Sequence, residues 1–254
     1  MIHSAPVPIL TYHSIDPSGS VLSVAPAEYR EHVRSLANRG FTGIRFDHLL
    51  EAFAGGAALP PNPVVITFDD AYANFREHAL LPLSEVGFSA SVFAIAGSVG
   101  KANNWAGQGP SIPRLPLLDW PALREIAGAG FEIGSHAFTH SRLDRAPADQ
   151  LEHEIADSRR ALEDGIGAPV TTFAYPFGAH NVASVAMVRA HYRGACTTRM
   201  ANARASHDYH LLPRVDVYYL RQPRRFARFG TPLGSAYLVA RTIGRAARAL
   251  LVRS

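Results

Sequence analysis

Pro63-Val64-Val65-Ile66-Thr67-Phe68-Asp69-Asp70 is the stretch on which the fold turns. A run of β-branched residues bounded by Pro61 and Pro63 reads as a strand buried on both faces, since full burial is what tolerates a near-continuous apolar run. It ends on two adjacent carboxylates. Side chains alternate along an extended strand, so Asp69 and Asp70 leave its end in different directions, one free to bind a cation and the other to address a neighbouring water. An N-cap for the following helix would account for one aspartate and leave the second unexplained.

With 254 residues, 47% hydrophobic and 18% charged, the chain can bury a large core, and a single α/β barrel is expected rather than two domains. Met1 to Leu10 has no basic segment followed by an apolar one, and nothing approaches the roughly 20 apolar residues of a spanning helix. The expected location is cytoplasmic, with the inner face of the cytoplasmic membrane as a variant of it. Cys196 is the single cysteine, which excludes intramolecular disulfides and thiolate zinc sites; a metal must be held by His and carboxylate. The net charge of +4 is uneven. Residues 221–254 hold eight arginines and no acid, leaving 17 of the 25 basic side chains and all 21 acidic ones before position 221. No basic stripe with interleaved aromatics runs through the body, so nucleic acid is not an expected partner.

Outward from the central strand, the chain alternates. Val7 to Tyr12 is a short strand followed by the loop His13 to Gly19; a helix over Pro26–Asn38 and a strand over 41–44 follow, and Asp47 is expected to cap a short helix. After Asp70 come a helix over 74–86 and a strand over 89–95. Residues 97–118 form a long Gly/Pro/Asn-rich loop, which in a compact domain is functional or disordered. Helix 119–129, strand 131–134, a helix from Pro147 to Glu163, strand 171–175, helix 182–190 and strands 195–198 and 211–217 complete the pattern. Such alternation favours a parallel sheet, and closing it into a barrel brings every strand's C-terminal end to one face. The polar clusters all lie just past strand ends.

His136 and His140 can reach one cation if the backbone between them turns, each offering a ring nitrogen at about 2.0–2.1 Å to zinc. Joined to a strand that ends in Asp-Asp, two imidazoles and a carboxylate leave an open coordination position, as a catalytic site requires, and imply a metal-held water as nucleophile. Thr67-Phe68-Asp69-Asp70, Ser135-His136-Ala137-Phe138-Thr139-His140 and Phe173-Ala174-Tyr175-Pro176-Phe177-Gly178, in this order and spacing, resemble the first three motifs of the polysaccharide deacetylase family (NodB homology domain, carbohydrate esterase family 4). The resemblance covers roughly residues 7–217. It implies a distorted (β/α) barrel of seven or eight parallel strands and metal-dependent hydrolysis of an N-acetyl group on an amino sugar. In that scheme Asp69 is the general base, Asp70, His136 and His140 bind the metal, and the Phe177 N–H helps form the oxyanion hole.

The commoner family layout takes its general acid from a histidine on a late strand, and no such motif follows His210 here. Leu10-Thr11-Tyr12-His13-Ser14-Ile15 resembles the N-terminal motif of the family's permuted branch, which includes poly-N-acetylglucosamine deacetylases. First and last strands are neighbours in a closed barrel, so His13 is assigned as the acid; hydrogen bonding within a turn is the alternative. Ala174 stands where much of the family has arginine, and Arg214 is the candidate to orient Asp69 instead, with local pairing to Asp216 as the alternative. Ala71 replaces the glycine that often follows the Asp pair. Tyr12, Tyr175 and Trp105 are candidate faces for sugar stacking, with core packing as the competing role.

Beyond a barrel over 1–220, residues 221–254 are expected to form a separate basic tail. Ala236, Val239, Ala240, Ile243, Ala247 and Leu250 fall at helical spacing, with Arg241, Arg245 and Arg248 on another face. That pattern fits a membrane-surface helix or one closing the barrel floor. The expected function is zinc-type deacetylation of an amino sugar in a glycan or glycolipid. Deformylation or another amide cleavage on a sugar nucleotide or small metabolite is the second reading, and a non-catalytic carbohydrate-binding barrel the third.

Overall fold

A computed structural model describes residues 5–106 and 108–251, with side-chain detail up to Thr242. Its strands are β1 Ile9–Tyr12, β2 Ser14–Ile15, β3 Ser23–Val24, β4 Thr42–Ile44, β5 Pro63–Phe68, β6 Ser91–Ala94, β7 Glu132–Ser135, β8 Thr172–Ala174, β9 Gly194–Cys196 and β10 Val215–Asp216. The main helices are α1 Pro26–Asn38, α2 Phe46–Phe53, α3 Asn74–His78, α4 Leu80–Glu85, α5 Trp120–Gly128, α6 Ala148–Glu152, α7 Ser158–Ile166, α8 Val182–His191, α9 Pro223–Phe226 and α10 Pro232–Leu251. All strand pairs in the main sheet are parallel, in the order β10-β1-β5-β6-β7-β8-β9, with β4 laid along the start of β5. The sheet curls into the expected distorted barrel. Leu212 pairs with Cys196 before the chain enters β10, its N–H donating to the Ala195 carbonyl at 3.0 Å and its carbonyl accepting from Thr197 at 2.9 Å. That stretch carries the ladder from β9 round to β1.

Alternation along these strands divides the core in two. Val64, Ile66 and Phe68 of β5, Val92 and Ala94 of β6 and Phe173 of β8 face outward into the large cluster shared with the helices. Val65, Phe93, Ala174 and Cys196 face inward, packed with Val7, Ile9 and Leu212 and with Phe46, Leu49, Leu50 and Phe53 of α2. Both faces of the central strand are therefore buried, as its composition predicts. The inward set then continues past the strand ends into polar side chains: Val65 leads by twos to Thr67 and Asp69, and Gly134 to His136.

Several boundaries differ from the sequence pattern. Asp47 sits inside the first turn of α2 rather than at its cap, which is Arg45. The helix expected over 74–86 is broken at Ala79 into α3 and α4, ahead of Pro82, whose ring cannot continue the preceding hydrogen-bond ladder. The helix opened by Pro147 runs through a π-helical turn, His153–Asp157, and continues past Glu163 to Ile166, ending on left-handed Gly167. The long loop is pinned: buried Asn103 donates to the Tyr72 hydroxyl at 3.1 Å and the Pro113 carbonyl at 2.9 Å, and accepts from the Leu115 N–H.

The boundary expected at residue 220 marks no break in packing. Phe226 and Phe229 belong to the large core cluster, and the Phe226 ring stacks 3.8 Å from the buried His32 imidazole of α1. The separate tail is thus reduced to α10, which docks through Leu238 and through the Tyr237 hydroxyl, a donor to the Tyr219 carbonyl at 3.1 Å. Ala236, Val239 and Ala240, the described part of the expected apolar stripe, are exposed, with Val239 edging a groove that Arg199 and Met200 also line. Ile243, Ala247 and Leu250, with Arg245 and Arg248, lie outside the residues whose side chains are described.

Candidate active site

The β1–β5 register pairs Tyr12 with Phe68, so His13 and Asp69 are the next residues off adjacent strand ends, and the His13 Nε2 lies 4.0 Å from Asp69 Oδ2. Arg214 reaches the same carboxylate from the approach to β10, on the other side of β1. Its Nη1 and Nη2 each donate to Asp69 at 2.7 Å, Nη1 also meets the Thr67 hydroxyl at 3.2 Å, and Nε donates to the Thr197 carbonyl at 3.1 Å. The fork is buried, with its guanidinium 5.8 Å from the centre of the Phe93 ring. Asp216, the alternative partner, accepts instead from the Tyr218 N–H. Burial alone would push Asp69 up, but the Arg214 guanidinium, together with His136 and His13, holds its carboxyl well below the usual carboxylate range. Asp69 is a buried, ionised, oriented acceptor.

Across the cavity stand Asp70, His136 and His140. Asp70 Oδ1 lies 3.5 Å from His136 Nε2 and 3.4 Å from His140 Nε2, and the three ligand atoms fall within 4.8 Å of one another. Donors about 2.0–2.1 Å from one tetrahedral cation stand about 3.3–3.4 Å apart, which the two Asp70–histidine spacings match; hydrogen bonds would be shorter. Asp70 Oδ1 is buried with no hydrogen-bond partner, an orphan that a divalent cation would satisfy. His136 Nδ1 donates to the Ala174 carbonyl at 2.8 Å, which turns the Nε2 lone pair toward the cavity. Burial, and then the neighbouring His136, hold His140 well below its ordinary pKa, so its ring stays neutral and able to ligate.

These side chains are held by backbone in a costly conformation. Among the described residues, the non-glycine positions with positive φ are Asn62 and five around this site: Asp70 (69°), Ala71 (56°), Ala137 (65°), His140 (64°) and Phe177 (59°). Each costs on the order of 1–3 kcal/mol and persists where the surroundings over-determine it. The positive φ at Ala71 explains why glycine suits that position. Phe177 forms the lip: its ring is 44% exposed and lies 4.6 Å from the His140 ring, whose other flank meets Trp105, also at 4.6 Å. A cavity of about 360 Å³ opens between the Asp69 and Asp70 walls, lined also by Thr11, Ile112 and Asp216.

Two aromatic candidates are corrected. Tyr12 is 2% exposed, packed between Tyr29 and Phe68, and its hydroxyl meets His32 at 3.2 Å; it faces outward because His13 faces in. Tyr175 touches the cavity, but its ring is buried against Phe173 and His180. Trp105 does reach the site. The sequence reading missed Asp216, although its spacing of two from Arg214 puts it on the same inner face.

The profile of the polysaccharide deacetylase family matches residues 56–193, more than half of the chain. The chain belongs to the polysaccharide deacetylase family. It is a deacetylating enzyme of the carbohydrate esterase type. YxkH of Bacillus subtilis, a protein named for polysaccharide deacetylation, is 28% identical over 214 residues, 84% of this chain and 72% of its own. The poly-beta-1,6-N-acetyl-D-glucosamine N-deacetylase of Escherichia coli K12 is 26% identical over 136 residues, 51% of this chain and 20% of that one. The structure of IcaB from Ammonifex degensii shares the fold, with a TM-score of 0.75 and 22% identity, covering 92% of this chain and 97% of that one. The profile spans Asp69, Asp70, the two histidines and Phe177 of this family member; His13 and Arg214 fall outside it.

Proposed function

We propose that this deacetylase hydrolyses the N-acetyl group of an amino sugar in a glycan, with a divalent cation, zinc, held by Asp70, His136 and His140. Held by these three residues, zinc would supply Lewis acidity toward the amide carbonyl and lower the pKa of water toward neutrality. Asp69, ionised and fixed by Arg214, takes the proton of the attacking water. The Phe177 N–H donates to the carbonyl oxygen as charge develops on it. His13, beside Asp69, returns a proton to the departing amine, so that water is added across the C–N bond to leave acetate and a free amino sugar. The observation that carries this reading is the facing pair of walls: a buried trio of ligand atoms within 4.8 Å of one another, and an oriented carboxylate with a histidine 4.0 Å away.

The lining favours a neutral sugar over a sugar nucleotide. Arg214 is the single Arg or Lys among the described lining residues, and Asp69 occupies it, leaving no free Arg or Lys for a diphosphate. The E. coli relative acts, by its name, on poly-β-1,6-N-acetylglucosamine, and oligomers of that polymer are the first substrate to test. Acetate release is expected from zinc-loaded protein and is expected to vanish on chelation and return with added zinc. Equal rates with and without chelator would overturn the reading, and formate release from N-formyl sugars alone would move it to a deformylase.

A second, weaker contact follows from α10. Among the described residues no helix is long and apolar enough to cross a membrane, yet Leu233 and Val239 are 69% and 59% exposed and no acid occurs after position 220. An apolar stripe turned outward beside arginines fits the surface of an anionic bilayer. Flotation with phosphatidylglycerol vesicles is expected for the full chain and is expected to fall in a Leu233→Glu/Val239→Glu variant; equal flotation removes the contact.

A further inference from the structure

His136 and His140 are held in different ways. The first has its second ring nitrogen tied to the Ala174 carbonyl; the second has a buried Nδ1 with no partner, so hydrogen bonding to the ring does not orient it. Besides the flanking Phe177 and Trp105 rings, what fixes His140 is the loop that carries it; the Ala137 and Phe138 carbonyls of that loop accept from the Ala96 and Gly97 N–H groups, and its own N–H groups are gathered by one carboxylate. Glu154 Oε2 accepts from the Phe138 N–H at 3.0 Å and the Thr139 N–H at 2.9 Å, while Oε1 accepts from the Thr139 hydroxyl. Glu154 is buried. It is supplied by the π-helical turn between α6 and α7, where the neighbouring His153 ring packs 4.1 Å from the Phe138 ring. A π-turn is rare and commonly marks a functional position; here it aims two successive side chains at the loop between left-handed Ala137 and left-handed His140.

We propose that Glu154 is a positioning residue for the metal centre: by gathering three donors of the 138–139 loop it holds His140 at ligating distance from Asp70. This rests on reading Asp70, His136 and His140 as metal ligands. Outer-shell partners of metal-binding histidines typically contribute 10–100-fold to affinity, and the leverage is greatest where no hydrogen bond of its own orients the ring.

The test measures zinc affinity by competition with a chromogenic chelator, and thermal unfolding of the metal-free protein, for the wild type, Glu154→Ala, Glu154→Gln and Leu162→Ala. Leu162 is buried on α7 and serves as a control that lowers stability without touching the loop. Glu154→Ala is expected to weaken zinc by about 10–100-fold, and Glu154→Gln, which keeps one acceptor oxygen, by less. Leu162→Ala is expected to melt earlier and bind zinc as the wild type does. The inference fails if both Glu154 variants bind zinc within about twofold of the wild type, or if Leu162→Ala loses as much affinity at the same melting temperature. Should Glu154→Ala not fold, the Gln variant decides. A wild type that binds no zinc overturns the metal site itself and this inference with it, an outcome distinct from loss in the variants alone.

Discussion

Asp69 and Asp70 are consecutive, both buried, and opposite in what surrounds them. Asp69 has both oxygens in the grip of Arg214 and sits well below the ordinary carboxylate range despite its burial. Asp70 has an orphaned oxygen facing two imidazoles, and burial pushes its carboxyl up. One carboxylate is satisfied within the protein, and the other keeps an oxygen without a partner. The difference supports the proposed division, a proton for Asp69 and an ion for Asp70: a group already neutralised by a guanidinium has little left to give a cation, while one with an orphaned oxygen has a strong demand for it.

Substitutions can break that comparison. Asp69→Asn is expected to lower kcat by about 10³-fold while zinc affinity stays near that of the wild type; Asp70→Asn is expected to lose zinc and activity together. Parallel chelator-competition and acetate-release measurements separate the two, and a similar loss of zinc in both variants would erase the distinction. His13→Ala probes the proton-handling wall from its other side. The expected result is a fall in kcat of about 10²-fold with metal retained, and near-normal turnover would remove His13 as the acid.

Arg214→Gln sharpens the comparison by making Asp69 resemble Asp70. Without the guanidinium, burial dominates and the Asp69 pKa rises; the base form is then lost at higher pH, so the acid limb of the kcat profile moves to higher pH. Stability follows the same sign. A depressed folded-state pKa contributes stability above the unfolded carboxylate pKa that is lost as pH falls, so the wild type gains from the pair at neutral pH. The variant is expected to lose about 3–5 kcal/mol there, a drop of roughly 10 °C in Tm.

Glu132 offers the smallest test and a third environment for a buried carboxylate. It accepts from Ser91, Thr172 and the Asp47 N–H but has no cation in its grip, and burial, aided by Asp47, raises it to about 7. A raised folded pKa favours the protonated fold, so this contribution is fully present below the unfolded pKa near 4.3 and fades as pH rises through about 7. Glu132→Gln is expected to remove that slope, gaining a few degrees in Tm at pH 8 relative to pH 5 against the wild type. Parallel melting curves would show that hydroxyls suffice to keep Glu132 at an ordinary pKa.

Much of this was readable in one dimension. The period-two pattern of β5, with its inward Val65, Thr67 and Asp69, and the strand-then-histidine order at Gly134–His136 are local facts about alternation and burial, so the sequence by itself determined the parallel barrel and which polar residues leave its strand ends, while the division of roles between Asp69 and Asp70 came from the family resemblance. Tyr12 went wrong because strand alternation was not carried one residue back from His13. Only the tertiary structure decided between Asp69 and Asp216 as partner of Arg214, placed Glu154 beneath the histidine loop from 14 residues downstream, and drew Phe226 and Phe229 into the core. Those outcomes depend on which side chains the closure of the ring brings within hydrogen-bond or van der Waals reach, and such contacts between residues far apart in the chain leave no periodic signature in it.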